Sequence, residues 1–548
     1  MFSASNCGPE QHTEPSGESA NDYSELIEEY QEYIPEVMEK EKIPGLALAI
    51  VDKEGVIWSQ GFGYTDTTRT TSVNDETIFS IQSASKSFTA TTVMLAVQDG
   101  LLDLDTPLST YLPGFKVKSC FEENPQDKIT LRHLLSHKAG FEHEAPVGNN
   151  YNAASPSFEA HVKSIQETWL KYPVGERYSY SNLGIDIAAY IIQVVSGKPV
   201  EQYMRERLFD PLGMTTSSAD LEEIEKNKNR ALGHNKNWAQ DPRPLIPMLG
   251  AGGVYSNAKE MAKYIQFHLN RGKIDGKTFL RQDLLDEMYT VPFPATKEQL
   301  AGYALGIDTK TKYYAYNYSH GGGGFGFLFN MIWYPEFGIG VTLLTNSTSH
   351  SQQNKFPEQL LDKIIKDRQG TVHEDFFGSK TPVDIDLEHK KKLVGQYLGR
   401  FKQVVALKGD KLGFQYGKNF QPFVFYSETE VSGAWDIPYR FVLDGDGNPS
   451  YLLNVYSGMI WDYDYGPSSK PGPDEKHWED YTGEYTTFIS NDTLGVLSIY
   501  RENGHLFYKF GNSKAILKEY DPGLFFTANG ESFDFNNNLV QGIFKLKK

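Results

Sequence analysis

The sequence has few cysteines and no long apolar run. Its two cysteines, Cys7 and Cys120, lie far apart in a chain of 548 residues, which excludes the close cysteine pairs of zinc ribbons and dithiol redox sites. The longest apolar runs, LALAIV (46–51) and IAAYIIQVV (187–195), fall short of the roughly 18 residues that a spanning helix requires. The start MFSASNCGPE lacks the basic and apolar regions of a signal peptide. We therefore expect free thiols and a soluble protein without a membrane span, either cytoplasmic or exported with its signal peptide removed.

Positive charge is also scarce. Lys and Arg total 53 against 71 Asp and Glu, a formal net charge of −18, and the acidic residues are spread along the chain. A phosphate backbone requires a concentrated basic face, and none is visible. The composition therefore argues against a nucleic-acid partner and against an anionic membrane surface.

The length and the order of patterns indicate several domains. Two strand-forming regions, at 46–64 and about 300–345, enclose a largely helical middle, which implies one sheet completed by distant segments with helices packed on it. An amphipathic helix is expected from Tyr23, and Ser, Glu, Pro and Gly dominate the residues before it. The fold class is α/β (α+β). The predicted domains are a disordered tail at 1–22, a mainly antiparallel sheet flanked by helices at 23–378, and two small antiparallel β-barrel-like domains at 379–468 and 469–548.

An internal repeat carries the prediction of two related β domains. VGQYLGRF (394–401) matches TGEYTTFI (482–489), and GDKLGFQYG (409–417) matches NGHLFYKFG (503–511). Each unit of about 75 to 90 residues is long enough for a small closed barrel, which removes exposed strand edges.

The stretch FSIQSASKSFTA (79–90) places Ser83 three residues before Lys86 at the predicted opening of a helix. A helix N-terminus offers unpaired amides that can stabilise an oxyanion, and a lysine one turn on can reach the serine hydroxyl. The spacing alone is weak evidence, because it recurs at Ser256 and Lys259. A nucleophilic role also requires that Lys86 be buried beside another polar group.

Two further motifs supply such groups. Tyr180 and Asn182 precede an apolar helical segment in GERYSYSNLGIDI (175–187), although a tyrosine at the edge of the core is the ordinary structural explanation. His320 and Gly322 belong to YSHGGGGFGF (318–327), where glycines within a strand mark a bulge or the close approach of a ligand.

Taken in order, Ser83-x-x-Lys86, Tyr180-x-Asn182 and His320-x-Gly322 resemble the motifs of the serine β-lactamase and penicillin-binding-protein superfamily. The resemblance is to the class C-like branch with D-aminopeptidases and family VIII esterases (peptidase S12-like), and it covers about residues 25 to 365. LDLDTPLSTYLPGF (102–115), LRHLLSHKAGF (131–141) and AGGVYSNAKEMAKY (251–264) also match the habits of that family. The last stretch explains the second Ser-x-x-Lys as structural.

The resemblance implies a role for each position. Ser83 would attack a carbonyl to form an acyl-enzyme, with Lys86 and Tyr180 sharing the proton transfers. The amides of Ser83 and Gly323 would form the oxyanion hole, and Asn182 would bind the amide on the acyl side. His320 departs from the Lys of β-lactamases and DD-peptidases, and a mostly neutral imidazole is a poorer anchor for a substrate carboxylate.

The predicted function is thus a metal-free and cofactor-free serine hydrolase acting on a small molecule or short peptide, with a D-aminopeptidase-like activity first. The alternatives are a carboxylesterase, a weak β-lactamase or DD-peptidase, and a non-catalytic ligand-binding homologue; a homo-oligomer is compatible with each. His133 and His137 lack the intervening Glu of a zinc protease, and DGDGN (444–448) is followed by Pro449 where a calcium loop needs glycine, so a hairpin turn is expected there.

Overall fold

The computed structural model describes the greater part of the chain. The described residues are 22–150, 156–234, 248–294, 299, 301–313, 315–370, 377, 380–398, 402–433, 437–464, 476–489, 492–502, 504–511, 513–527, 530–541 and 544–548. Apart from Asp22, the predicted disordered tail at 1–22 lies outside the described residues. The predicted domain boundaries remain predictions.

The N-terminal unit, residues 22–370, is built on a seven-stranded antiparallel sheet in the order β2-β1-β11-β10-β9-β8-β7. Its strands are β1 (Gly45–Asp52), β2 (Val56–Gly63), β3 (Phe79–Ser80), β4 (Tyr255–Ser256), β5 (Lys273–Ile274), β6 (Lys277–Thr278), β7 (Gly302–Tyr303), β8 (Asp308–Lys312), β9 (Ala315–Gly324), β10 (Phe327–Tyr334) and β11 (Ile339–Thr345). Its α-helices are α1 (Ser24–Glu41), α2 (Ser85–Gln98), α3 (Leu108–Tyr111), α4 (Leu131–Leu135), α5 (Phe158–Ser164), α6 (Asn182–Ser196), α7 (Val200–Met204), α8 (Leu221–Lys226), α9 (Leu249–Gly252), α10 (Ala258–Leu269), α11 (Gln282–Tyr289) and α12 (Gln352–Gln369). Short 3-10 turns lie at Gln82–Ala84, Pro125–Asp127 and Ile165–Glu167, and a π-helical turn at Arg205–Phe209.

The sheet is covered on both faces, which explains the continuous apolar run of β1. Leu46, Leu48 and Ile50 pack into the core cluster that includes residues of α1 and α12. The alternate residues Ala47 and Ala49 belong to the larger cluster on the opposite face, with α2, α6 and α10. Successive side chains of a strand point to opposite faces, so a strand buried on both sides has no polar positions. The predicted joining of the two distant strand regions is confirmed, because β1 pairs with both β2 and β11.

The amphipathic helix predicted from Tyr23 is α1. Its buried residues are those of the predicted apolar stripe, Leu26, Tyr30, Ile34, Val37 and Met38. The chain leaves the helix through Lys42, whose φ of 57° is the left-handed conformation of a helix C-terminus.

Two β units follow. The middle unit contains α13 (Leu387–Lys392), β12 (Gly395–Leu398), β13 (Gln403–Lys408), β14 (Lys411–Tyr416), β15 (Asn419–Pro422), β16 (Val424–Phe425), β17 (Glu430–Ser432), β18 (Pro438–Leu443), β19 (Pro449–Asn454) and β20 (Ile460–Asp464). After a 3-10 helix at Lys476–Tyr481, the C-terminal barrel contains β21 (Gly483–Ile489), β22 (Asp492–Glu502), β23 (His505–Phe510), β24 (Ser513–Asp521), β25 (Leu524–Phe526), β26 (Ser532–Asp534), β27 (Leu539–Val540) and β28 (Phe544–Lys547).

The C-terminal barrel is closed by its eight strands, as predicted. The middle unit is a nine-stranded antiparallel sheet with β15 and β16 as its edge strands. These two strands are separated along the chain by Phe423 alone, but among the described residues no pairing between them closes the sheet. The sequence repeat corresponds to equivalent strands, because its two halves fall on the first and third strands of each unit, β12 and β14 in one and β21 and β23 in the other.

Within the described ranges, no single helix has the length and apolar character needed to cross a membrane. The helices Asn182–Ser196 and Val200–Phe209 meet that requirement only when taken together, and they are bent by 83°.

Candidate active site

Ser83 lies in the 3-10 turn Gln82–Ala84, directly before α2. The sequence pattern predicts it in the first turn of the helix, so the structure moves it just ahead of that turn. The turn begins with strained backbone, because Gln82 has a φ of 51° although it carries a side chain. The Gln82 amide nitrogen Nε2 donates to Ser80 Oγ at 2.7 Å, which helps to hold this conformation. Ser83 is partly exposed while its neighbours Gln82 and Ala84 are buried. The fold therefore presents this one hydroxyl at a fixed turn.

Lys86 is fully buried one turn further on. Its Nζ donates to Asn182 Oδ1 at 2.8 Å and to the Ala251 carbonyl oxygen at 2.9 Å. Nζ also lies 3.3 Å from Ser83 Oγ. An ammonium has three N–H groups, and these three oxygens account for all of them. The burial beside polar groups that the sequence hypothesis requires is present.

The segment that carries Tyr180 and Asn182 is fixed by hydrogen bonds to the preceding loop. Ser179 donates through its amide to the His137 carbonyl at 2.8 Å and through Oγ to the Phe141 carbonyl at 3.0 Å. The Ser181 side chain caps α6 by accepting from the amides of Leu183 and Gly184. The chain therefore enters α6 in an extended conformation, with Tyr180 just before the cap and Asn182 as the first helical residue.

The ring of Tyr180 meets the Lys86 amine, with Nζ 4.8 Å from the ring centroid. The rings of His137 and Tyr303 lie 4.3 and 6.1 Å from it, and Tyr178 lies 6.0 Å from Tyr303. Burial and the positive charge of Lys86 hold the pKa of His137 well below its usual value, so this imidazole is neutral at pH 7. One side of the site is therefore an aromatic wall without charge.

The amide of Asn182 is fully engaged. Its Nδ2 donates to Glu144 Oε1 at 3.0 Å while its Oδ1 accepts from Lys86. The orientation is forced, because an ammonium can only donate and a carboxylate can only accept. The donor that the resemblance assigns to a substrate amide is thus bound to a buried carboxylate in this structure.

His320 lies in β9 with both ring nitrogens paired. Nδ1 faces the Gly321 carbonyl oxygen at 2.6 Å and Nε2 faces the Tyr303 hydroxyl at 2.8 Å. A carbonyl oxygen can only accept, so Nδ1 carries the proton and Nε2 accepts from Tyr303. Burial, together with the positive charge of Lys86, lowers the pKa of His320 to about 4. The neutral imidazole expected from the sequence is the dominant form at pH 7.

The glycines after His320 lie against the turn of the serine. A Cβ on Gly322 would lie 2.1 Å from the Ile81 carbonyl oxygen and 3.0 Å from Gln82 Cβ. No side chain fits there. A Cβ on Gly323 would meet only the Leu328 Cδ2 atom, at 3.0 Å. The structure thus brings together the seven residues that the sequence singles out: Ser83, Lys86, Tyr180, Asn182, His320, Gly322 and Gly323.

The second Ser-x-x-Lys is structural. Lys259 is half-exposed and pairs with Glu76 at 2.8 Å, while Ser256 Oγ bonds to Ser217 Oγ at 2.8 Å. His133 completes the N-terminal cap of α4 with Thr130. In the part of the chain that the structure describes, no group of three or more His, Cys, Asp or Glu side chains could hold a metal ion. The DGDGN segment is a hairpin turn between β18 and β19, in which Asp444 Oδ1 accepts from the amides of Asp446 and Asn448.

Sequence reasoning missed three groups at this site. Ala251 is the first residue of one of the stretches that match the family. It contributes its backbone carbonyl, which every residue type has, so the sequence does not reveal this role. Glu144 lies in the loop 142–157, whose conformation cannot be inferred from its composition. Tyr303 comes from the short strand β7, and its pairing with His320 depends on the sheet register.

Comparisons with known proteins identify the family of the chain. The Beta-lactamase family model matches residues 30–362. Unguisins hydrolase ungD' of Aspergillus campestris is 30% identical over 271 residues, which cover 47% of this chain and 49% of that protein. The putative penicillin-binding protein PbpX of Bacillus subtilis is 32% identical over 250 residues, covering 45% of this chain and 58% of that one. The chain thus spans about half the length of the curated relatives it matches.

Solved structures extend the likeness beyond the N-terminal unit. The octameric penicillin-binding protein homologue from Pyrococcus abyssi matches with a TM-score of 0.54 at 23% identity, over 79% of this chain and 99% of that one. SurE with D-Leu matches with a TM-score of 0.55 at 22% identity, over 80% and 99%. At these identities the structures share the fold. The family match over residues 30–362, more than half of the chain, shows that the protein belongs to the beta-lactamase family, within the superfamily of serine hydrolases related to penicillin-binding proteins.

Proposed function

We propose that the protein hydrolyses small amides, peptides or esters through an acyl-enzyme on Ser83. Ser83 Oγ forms a bond to the substrate carbonyl carbon, and its proton passes to the Lys86–Tyr180 pair. The same proton then goes to the leaving amine or alcohol as the scissile bond breaks. Water releases the acyl group by the reverse sequence and restores the serine.

The observation that carries this proposal is the arrangement around Lys86 Nζ. Two of its neighbours, Asn182 Oδ1 and the Ala251 carbonyl, can only accept hydrogen bonds, whereas the hydroxyl of Ser83 can either accept or donate. When the amine is neutral, its two N–H groups stay on the fixed acceptors and its lone pair faces Ser83. The site therefore directs proton exchange at this one hydroxyl.

The oxyanion would be held by the amides of Ser83 and Gly323. Phe325 and Gly326, with φ of 48° and 86°, form a two-residue turn, so the flanking pair Gly324–Phe327 exchanges hydrogen bonds and the next pair, Gly323–Leu328, does not. β8 pairs with β9 only as far as Ser319. The Gly323 amide therefore points away from β10, toward the side where β8 has already ended, at the place where Gly322 contacts the serine turn.

The neutral His320 favours substrates without a free carboxylate at this position. It supports an aminopeptidase-like or esterase activity over a DD-peptidase or β-lactamase activity. We place a D-aminopeptidase-like activity first, and the SurE structure with bound D-Leu makes D-leucyl compounds the first probes. Esterase activity is the second candidate, because an ester leaving group needs less protonation than an amine. A homo-oligomer remains a prediction.

Labelling with a fluorescent fluorophosphonate tests the nucleophile. We expect covalent labelling of the parent protein and none of Ser83→Ala. The matched control is Ser256→Ala, which removes the hydroxyl of the second Ser-x-x-Lys and leaves labelling unchanged. Equal labelling of Ser83→Ala would remove Ser83 from the mechanism. Labelling without turnover of any substrate would favour the ligand-binding homologue.

A substrate panel then ranks the reactions. D- and L-leucyl anilides, short nitrophenyl esters and a chromogenic cephalosporin are assayed with the parent protein and Ser83→Ala. Faster cleavage of the D-leucyl than of the L-leucyl anilide would support the aminopeptidase-like activity. Rapid cleavage of the esters without cleavage of either anilide would support the esterase activity instead. Faster turnover of the cephalosporin than of the anilides and the esters would contradict the argument from the neutral His320.

A further inference from the structure

The two fixed acceptors of Lys86 are each held by a buried carboxylate. Asn182 is oriented by Glu144, which is 4% exposed, and the Ala251 peptide is held by Asp186, which is fully buried. Neither carboxylate is among the hydrogen-bond partners of the Lys86 amine or of Ser83. Burying a carboxylate costs free energy unless it is fully paired. The presence of two buried carboxylates next to the groups that bind one amine therefore requires an explanation.

Glu144 holds the amide of Asn182 in one orientation. Its Oε1 accepts from Asn182 Nδ2 at 3.0 Å and from His143 Nδ1 at 2.8 Å. Asn150 also donates its side-chain Nδ2 to the same oxygen, and its backbone amide donates to Oε2 at 3.3 Å. Without the carboxylate, the Asn182 amide could rotate by half a turn and present N–H groups to Lys86, which is itself only a donor.

Asp186 holds the Ala251 peptide from the other side. Its Oδ1 accepts from the amides of Gly250 and Ala251 at 2.8 and 3.0 Å, and its Oδ2 lies 3.1 Å from His161 Nε2. His161 Nδ1 in turn faces the Val147 carbonyl at 2.8 Å. The Val147 carbonyl can only accept, so Nδ1 carries a proton. Although burial acts to lower it, the pKa of His161 is raised by the hydrogen bond to Asp186 and by the charge of that group. Asp186 of α6 thus holds the short helix α9 at Ala251, whose carbonyl accepts the hydrogen bond from Lys86.

We infer that Glu144 and Asp186 are positioning residues that aim the Lys86 amine at Ser83, one through the Asn182 amide and the other through the Ala251 peptide. The inference rests on the proposed function, since it assigns no chemistry of its own to either carboxylate. With both acceptors fixed, the third direction of the tetrahedral nitrogen points to Ser83 Oγ. Loss of either acceptor lets the amine turn, which slows acylation while the substrate-binding surface stays in place.

The test is the rate of acylation of the full chain by a fluorophosphonate at saturating concentration, together with the apparent dissociation constant of the probe. For Glu144→Ala and Asp186→Ala we expect acylation slower by about 100-fold, the size of effect that a misplacement of about 1 Å produces. The apparent dissociation constant should change by no more than a few-fold, because neither side chain touches the probe.

Isosteric variants separate positioning from folding. In Asp186→Asn the amide oxygen can still accept from Gly250 and Ala251, while its NH2 donates to a neutral His161. We expect this variant to acylate within a few-fold of the parent, and Glu144→Gln to fall between parent and Glu144→Ala. Should Asp186→Ala fail to fold, Glu144→Ala and the two isosteric variants still decide the question. A soluble Glu144→Ala or Asp186→Ala that acylates at the parental rate would overturn the inference.

Glu260→Ala is the matched control. Glu260 is also a buried carboxylate that accepts from two consecutive amides, those of Thr216 and Ser217, but it supports neither acceptor of Lys86. We expect a lower melting temperature and an unchanged acylation rate per folded molecule. Equal slowing in Glu260→Ala and Asp186→Ala would mean that any buried carboxylate matters in the same way, which contradicts positioning. Failure of the proposed function would be seen separately, as undiminished labelling of Ser83→Ala.

Discussion

Lys171 of the N-terminal unit forms an ion pair with Glu531 of the C-terminal barrel, with Nζ 2.6 Å from Oε1. The side chains are 14% and 19% exposed, so the pair is largely shielded from water. Glu142 lies 3.9 Å from the same amine and accepts from the barrel residue Ser532 at 3.3 Å. The Glu142 carbonyl also accepts from Ser181, which caps α6 beside the candidate active site. The barrel is therefore linked to the loop that positions Tyr180 and Asn182.

Removal of Lys171 should destabilise the protein strongly. In Lys171→Met the carboxylate of Glu531 loses its cation, and breaking a buried pair in this way costs about 3–5 kcal/mol. Scanning calorimetry should show a lower melting temperature, and Lys171→Met combined with Glu531→Gln should recover part of the loss. The control is Lys163→Met in the exposed pair with Glu159, where we expect less than about 1 kcal/mol. Similar melting temperatures for the two methionine variants would contradict the structural account.

The same cluster predicts that stability falls as the pH rises from about 4.5 to about 8. Burial, and then the negative charge of Glu531, raise the pKa of Glu142 from 4.5 to about 8, although the positive charge of Lys171 opposes this shift. Between pH 4.5 and 8 the folded state holds one proton more than the unfolded state, so this group lowers the free energy of unfolding as pH rises, by at most about 1.4 kcal/mol per pH unit.

Glu142→Gln keeps the shape of the protonated acid and removes its titration. Melting temperatures of the parent and variant should therefore be similar near pH 5 and diverge toward pH 8, with the variant more stable. Parallel curves over this range would show that Glu142 does not titrate as described.

Gly322 and Gly323 form a matched pair for substitution. Gly322→Ala places a Cβ 2.1 Å from the Ile81 carbonyl oxygen, so either β9 or the serine turn must move. We expect acylation of Ser83 to slow by about 100-fold, as for other displacements of about 1 Å. In Gly323→Ala the contact is with the end of the Leu328 side chain, which can rotate, and the backbone amide is kept. The acylation rate of Gly323→Ala should therefore lie within a few-fold of that of the parent. Equally slow acylation in both variants would contradict the close packing of Gly322 against the serine turn.

Local patterns predicted much of the fold. The stripe of α1 and the closed C-terminal barrel follow from periodicity and an internal repeat, because each element repeats a short pattern along contiguous chain. Gln82 is an exception, since its left-handed backbone places Ser83 in a 3-10 turn ahead of α2. This turn lies against Gly322 of the distant strand β9, and the residues around Gln82 give no signature of its conformation.

The motif residues could be predicted because their side chains carry chemistry at fixed spacing. The groups that orient them could not. Lys86 and Ala251 are 165 residues apart. Asn182 and Glu144 are 38 residues apart, and Glu144 lies outside helices and strands. Ala251 contributes a carbonyl that every residue type possesses, so only the fold can select it.

His320 should remain neutral well below the pH at which an ordinary histidine becomes charged. Its pKa of about 4, compared with an ordinary value of 6.5, means that the folded state holds fewer protons between these values and that this group reduces stability as pH falls from 6.5 to 4. In ¹⁵N-detected imidazole spectra we expect the signals of Nδ1–H, bonded to Gly321, and of the acceptor Nε2 to be unchanged from pH 8 to 5.5. His320→Asn identifies these signals by their disappearance. Tyr303→Phe removes the donor to Nε2 at a cost of about 1–3 kcal/mol for the unpaired acceptor, and it should shift the Nε2 signal alone. A titration of His320 near pH 6.5 would mean that a charged imidazole is available to bind a substrate carboxylate. That result would make DD-peptidase or β-lactamase activity, which a neutral ring disfavours, the better hypothesis.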